Sequence, residues 1–260
     1  MQHVVQPEHP WLVRFHAGPA GSLRLYCFPY AGGSASMFQR WAQPGVLPQA
    51  VEVCAVELPG RGARQQESPL TRFSDLVITL TDALLLSLQE GQAFALFGHS
   101  LGALVSFEVA RHLQDRFGLI PRHLFVSGCG APQRGDACPE IADVPGLIAY
   151  LRGLGATPNE QMLARRWPLF QADFALRASY HYIVGRPPLA CPITVFGGMQ
   201  DDSVSWDALA AWREQTLGQC SVYLLPGNHF FLHREQGQLL RHVQSALLQA
   251  FPETPPERSS

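Results

Sequence analysis

The chain has 260 residues, 47% of them hydrophobic and 15% charged, with a formal net charge of −2. That length suits one large α/β domain with a substantial core, and the near-neutral balance argues against a broad nucleic-acid footprint. No apolar run approaches the length that spans a bilayer. The start, MQHVVQPEHPWLVRF, lacks the basic-then-apolar order of a signal peptide.

Six cysteines (Cys27, Cys54, Cys129, Cys138, Cys191 and Cys220) are scattered with no C-x-x-C pair. They read as reduced core thiols of a cytoplasmic protein.

In chain order, apolar β-rich segments alternate with helical patterns. Leu23–Phe28 reads as a strand, followed by Pro29-Tyr30-Ala31-Gly32-Gly33 and a helix starting near Ser34. Val51–Val56 is a second strand, closed by Leu58-Pro59-Gly60-Arg61-Gly62. Phe73–Leu88 has helical spacing, Ala93–Phe97 is a short buried strand, and Leu101–Phe117 is a helix ended by Gly118. Leu124–Ser127 is a strand broken by Gly128-Cys129-Gly130. Ile193–Phe196 and Val222–Leu225 are two more strands, and Leu239–Phe251 is an amphipathic closing helix.

Strand–helix alternation with continuously apolar strands predicts a mostly parallel sheet covered by helices on both faces. Between Ala131 and Pro192 no strand pattern appears. Three helical segments are expected there instead, over Val144–Leu154, Asn159–Arg166 and Pro168–Ile183. An insertion of this kind, about 131–191, reads as a helical lid on a single domain spanning 1–260. The Pro-rich tail, 252–260, is expected to be disordered.

The chemistry centres on FGHSLG. A strand (AFALF), then G-H-S-L-G, then a helix (ALVSFEVARHL) is the form of a nucleophile elbow. The two glycines leave room at a sharp turn, and Ser100 stands above the sheet edge. The Leu101 N–H at the helix start is placed to meet an oxyanion. Serine needs a base, and in this architecture acid and histidine follow it in that order. Of ten histidines, His229 lies in the Gly-containing loop after the last strand, with His233 as the runner-up. His99, beside the serine, should point into the core. The acid is Asp201 or Asp202, after Ile193–Phe196; the spacing G-x-x-D-x-x-V favours Asp201. Asp202 would then be free to cap the helix near Ser205. The second oxyanion donor is expected in the loop after the first strand, at the Ala31 N–H or one residue to either side.

FPYAGGSASMF, VELPGRG, FGHSLGALVSFEVA, ADFALRASYHY, CPITVFGG..D..V and LPGNHFFL together resemble the type II, stand-alone editing thioesterases of nonribosomal-peptide and polyketide synthesis. The likeness runs in order from about Leu23 to Leu232. It implies an α/β-hydrolase fold with a helical lid, and a triad of Ser100, Asp201 and His229. It also implies hydrolysis of acyl or aminoacyl thioesters on the phosphopantetheine arm of carrier proteins, with no metal or dissociable cofactor. A carrier-protein partner and a monomeric enzyme are expected, with neither nucleic acid nor membrane as partner. The lid reads LGATP and QADF where LGGTP and RADF are expected, which puts an ion pair from that arginine in doubt. Because carrier proteins are usually acidic, Arg61, Arg64 and Arg72 are either a docking surface or ordinary solvated arginines. Two alternatives keep the fold: a medium-chain acyl thioesterase acting on acyl-carrier protein or acyl-CoA, and a carboxylesterase. A more distant one is a non-catalytic binding protein built on the same fold.

Overall fold

The computed structural model describes residues 9–16, 18–19, 22–135 and 139–250. Cys138, Phe251 and the tail 252–260 lie outside them. Seven strands form one sheet: β1 (Leu12–Arg14), β2 (Leu23–Phe28), β3 (Val51–Val56), β4 (Phe94–His99), β5 (Leu124–Ser127), β6 (Ile193–Gly198) and β7 (Cys220–Leu225), in the order β1-β3-β2-β4-β5-β6-β7. All pairs are parallel except β1 with β3. This is the α/β-hydrolase arrangement that the resemblance implies.

Strand composition explains the two-sided burial. Along β2 every residue is buried. Leu23, Leu25 and Cys27 face one core and Tyr26 and Phe28 the other, because successive side chains leave opposite faces. The Tyr26 face packs beneath α1 (Phe73–Ser87) and α2 (Leu101–Phe117). The Leu25 face meets the segment Ala35–Ala42, through Phe38 and Trp41, and α7 (Gln236–Ala250), through Leu239, Leu240, Val243 and Leu247. Helix α2 ends as expected, with Gly118 in the left-handed region and its N–H bonded to Gln114 and Leu113 carbonyls. The five described cysteines are free thiols, and all but Cys220 are buried. No helix among the described residues is long and apolar enough to cross a membrane.

Three elements differ from the sequence reading. The helix expected near Ser34 is a 3-10 helix over Ala35–Ala42, and Ser34 bonds Ser36 rather than capping it. Strand β1 is a three-residue edge pairing whose alternation is too short to register. The insertion carries α3 (Val144–Gly153), and the two helices expected across Pro168 are one, α4 (Glu160–Ala178). A proline inside a helix forfeits one backbone bond and costs roughly 3 kcal/mol. Tertiary contacts on both sides of Pro168 offset that cost. Leu163 and Phe170 pack with Leu147 of α3, and the buried Asp173 is paired one turn beyond the proline.

Candidate active site

The elbow is set by backbone crowding. Ser100 sits between β4 and α2 with φ 54°, the one non-glycine residue of positive φ among the described residues. A Cβ at Gly98 would lie 2.1 Å from the Gly102 carbonyl oxygen, and one at Gly102 would lie 2.2 Å from that of Phe28. Only glycine fits at either position. Such a strained, sparsely populated conformation persists where the surroundings over-determine it. Here the Ser100 N–H is bonded to the Ser127 carbonyl at 2.8 Å and the Ser100 carbonyl accepts from Ala103 at 2.9 Å. The side chain is thereby left standing at the C-terminal edge of the sheet.

His229 arrives from the loop after β7. Its Nδ1 lies 2.7 Å from Asp201 Oδ2, and both residues are buried. That contact commits one ring nitrogen and leaves Nε2, across the ring, as the other. Asp201 takes further hydrogen bonds at Oδ1 from Ser203, at 2.5 Å from Oγ and 3.2 Å from the backbone N–H. Burial pushes the Asp201 carboxyl upward, but the hydrogen bonds from His229 and Ser203 outweigh it and hold the group below its ordinary value. Asp202 is exposed and stands outside the pair. The helix it was free to cap, α5 (Trp206–Ala210), is capped by Ser205 Oγ accepting from the Ala208 N–H.

His99 is fully buried, with Nδ1 2.9 Å from Ser127 Oγ and its ring 5.2 Å from that of His229. Burial first, then the neighbouring His229 and His233, drive it well below the usual histidine range. It therefore stays neutral beneath His229, pointing into the core as expected. His233 bonds Tyr30 Oη at 3.0 Å and stays outside the cavity that holds His229.

Ser100, Leu101, Ala31 and His229 line one cavity of about 220 Å³, which also receives Tyr150, Phe170 and Phe174 from α3 and α4. The Leu101 N–H is the first of α2 and has no intrahelical acceptor. The Ala31 N–H makes no hydrogen bond among the described residues. Ser100 Oγ likewise makes none. A hydroxyl, an imidazole backed by a buried carboxylate and two unengaged N–H groups thus meet at one mostly apolar cavity. No group of three or more His, Cys, Asp or Glu among the described residues could hold a metal ion.

The arginines behave differently from the expectation that they dock a carrier. Arg61 is 3% exposed and makes a two-pronged pair with Asp173 of α4, at 2.9 and 2.6 Å. Arg64 is 7% exposed, pairs with Glu67 and lies 3.9 Å over the Trp11 ring. Both are spent on internal contacts, because a buried guanidinium demands a partner. Arg72, 75% exposed and 3.6 Å from Asp75, alone keeps a solvent-facing head. Gln171, where an arginine was expected, is exposed. The ion pair of that helix runs through Asp173 instead.

Sequence reasoning missed Asp173, Arg166 and Ser203. Ser203 had a local signal, its position two residues after the acid. The other two had none, since their partners lie 112 and 134 residues away.

The chain matches the thioesterase domain family over residues 23–247. It is 40% identical over 248 residues to the gramicidin S biosynthesis protein GrsT of Aneurinibacillus migulanus, covering 92% of this chain and 94% of that one. It is 34% identical over 249 residues to the medium-chain S-acyl fatty acid synthase thioesterase of Anas platyrhynchos, covering 91% and 96%. Among solved structures, the type II thioesterase BorB of the borrelidin biosynthetic cluster superposes with a TM-score of 0.82 at 30% identity, over 91% of this chain and 97% of that one. A likeness that runs nearly end to end, in sequence and in fold, means that the chain belongs to the thioesterase domain family.

Proposed function

We propose that the protein hydrolyses acyl or aminoacyl thioesters held on the phosphopantetheine arm of carrier proteins, clearing misprimed or stalled nonribosomal-peptide or polyketide synthases. The observation that carries this reading is Ser100 in its strained turn, bordering one cavity with the His229–Asp201 pair. Support for the substrate class comes from the likeness to GrsT and BorB.

The chemistry then runs in two halves. His229 Nε2 takes the Ser100 proton as Oγ attacks the thioester carbonyl. The Leu101 and Ala31 N–H groups bind the oxyanion, and Asp201 stabilises the imidazolium. The pantetheine thiol leaves with little acid assistance, because a thiolate is a good leaving group. Water activated by His229 hydrolyses the acyl-enzyme and regenerates Ser100. The steps require no metal or dissociable cofactor. In this reading α3 and α4 act as the lid, with Tyr150, Phe170 and Phe174 against the acyl chain. The exposed Arg72 is the docking residue left of the original three.

The medium-chain alternative rests on the 34% identity to the Anas platyrhynchos enzyme. One panel separates the readings: hydrolysis of octanoyl carrier protein, octanoyl-CoA and p-nitrophenyl octanoate. The expected result is the highest kcat/KM on the carrier-bound thioester. A preference for acyl-CoA favours the alternative, and a preference for the oxygen ester defeats both thioesterase readings. Arg72→Glu should raise KM about threefold for the carrier-bound thioester and leave the small N-acetylcysteamine thioester unchanged.

A further inference from the structure

The turn that carries the Ala31 N–H is held from outside itself. Gly33 N–H bonds the Tyr30 carbonyl at 2.8 Å, closing a four-residue turn. Its third residue, Gly32, has φ +75°, the positive φ that a type II turn demands there. The Tyr30 carbonyl and the Ala31 N–H belong to one planar peptide and point in opposite directions. Whatever fixes this turn therefore aims the Ala31 N–H.

Helix α4 grips the turn at three points spaced along one face, Arg166, Phe170 and Asp173. Asp173, 0% exposed, accepts from the Gly32 N–H at 2.6 Å. Arg166 Nη2 donates to the Gly32 carbonyl at 2.8 Å. The Phe170 ring covers Gly32 so closely that a Cβ there would lie 2.3 Å from it. Arg61 completes the clamp, pairing with both Asp173 oxygens while donating to the Gly33 carbonyl at 3.1 Å. Both polar groups of Gly32 and the carbonyl of Gly33 thus end on charged side chains. Two of those three belong to α4.

We propose that Asp173 is a positioning residue: with Arg61 and Arg166 it couples the docked state of α4 to an aligned oxyanion donor at Ala31. The proposal rests on the reading of Ser100 as nucleophile and Ala31 as oxyanion donor. Its consequence is that the acyl-enclosing helix and the oxyanion hole form together. A carboxylate is needed because one oxygen must accept from a backbone N–H and a guanidinium at once, while the other accepts from the same guanidinium. An amide offers one acceptor oxygen and turns its NH₂ toward Arg61 or Gly32. A displacement of about 1 Å in a catalytic group is enough to cost on the order of 10²-fold in rate.

The test uses the full chain with octanoyl-N-acetylcysteamine as substrate, an octyl trifluoromethyl ketone as probe of the tetrahedral state, and octanamide as probe of the ground state. The ketone is attacked by Ser100 Oγ; its carbonyl oxygen becomes the oxyanion and the serine proton passes to His229. Asp173→Asn is expected to lower kcat by about thirtyfold or more and to weaken ketone binding in parallel. KM and octanamide binding should stay within about threefold. A merely structural role would weaken both probes alike, and that outcome overturns the proposal, as does a folded Asp173→Asn protein within threefold of the parent. If Asp173→Asn does not fold, Arg166→Gln, at a half-buried position, is read instead. It should lower kcat and ketone affinity together by about fivefold, and equal loss of both probes, or none, overturns the proposal. Thioester turnover that survives Ser100→Ala defeats the underlying site reading, a result separable from any of these.

Discussion

Two buried aspartates flank the cavity, and they do different work. Asp201 pairs with His229, 28 residues away, on adjacent loops at the sheet edge. Asp173 pairs with Arg61, 112 residues away, between a helix of the insertion and the loop after β3. The first partner is an imidazole with a second ring nitrogen free to work on a proton, and the second is a planar guanidinium whose donors fork across both carboxylate oxygens. The one suits a proton-transfer step, the other a fixed scaffold. The largest expected effect exploits this contrast. Asp201→Asn should cut kcat by about 10³–10⁴-fold, because the amide no longer holds the imidazole tautomer that accepts the serine proton. Its thermal midpoint should change little beside that rate. A kcat within tenfold of the parent would remove Asp201 from the role given to it.

Breaking the scaffold pair should cost stability as well as rate. Arg61→Met leaves Asp173 buried at 0% exposure without its cation. Breaking one side of a buried pair costs about 3–5 kcal/mol. Urea denaturation should register that loss. A docking arginine, one of the two readings open from the sequence, would leave stability intact and weaken carrier binding alone. Arg61→Met with Asp173→Leu should recover only part of the stability, since it removes the unpaired charge but leaves the Gly32 N–H and the Gly33 carbonyl without those partners.

The same contrast explains what the sequence could reveal. The six longer strands were legible because continuous apolar runs bounded by glycine and proline leave few alternatives, and Ser100, Asp201 and His229 stood out because each sits at a strand end. Their placement depends on the local chain and on sheet order. Even Ser203 lies within the loop that was singled out. The insertion was less legible. Pro168 signals a break, yet α4 continues through it because packing with Leu147 and the pairing of Asp173 override a local cost of roughly 3 kcal/mol. Arg61 and Arg64 resembled surface charges for the same reason: nothing near them in the chain announces Asp173 or the Trp11 ring. Interactions across more than a hundred residues leave no periodic trace.

Acid should probe Asp201 a second time, with a smaller effect. Despite burial, the hydrogen bonds from His229 and Ser203 hold the folded Asp201 carboxyl below its ordinary value. Its contribution to stability is therefore fully present above that value and is lost as the pH falls through it toward the folded one. A melting series from pH 6 to pH 3 should show the parent losing stability that Asp201→Asn does not lose. Identical slopes in the two proteins would mean that the carboxylate contributes nothing to the fold through its protonation.

The smallest effect belongs to the neighbour. Asp202 is exposed and makes no hydrogen bond among the described residues, while Ser205 already caps α5. The two adjacent aspartates differ because the chain turns between them. The Asp201 side chain runs inward to His229 and Ser203, and that of Asp202 runs outward to water. An exposed carboxylate without a partner contributes within about 0.5 kcal/mol. Asp202→Asn should therefore keep kcat, KM and thermal midpoint within about twofold and a degree or two of the parent. A loss near that of Asp201→Asn would mean that the loop can present either acid to His229. The pairing in the structure would then be one of two interchangeable states.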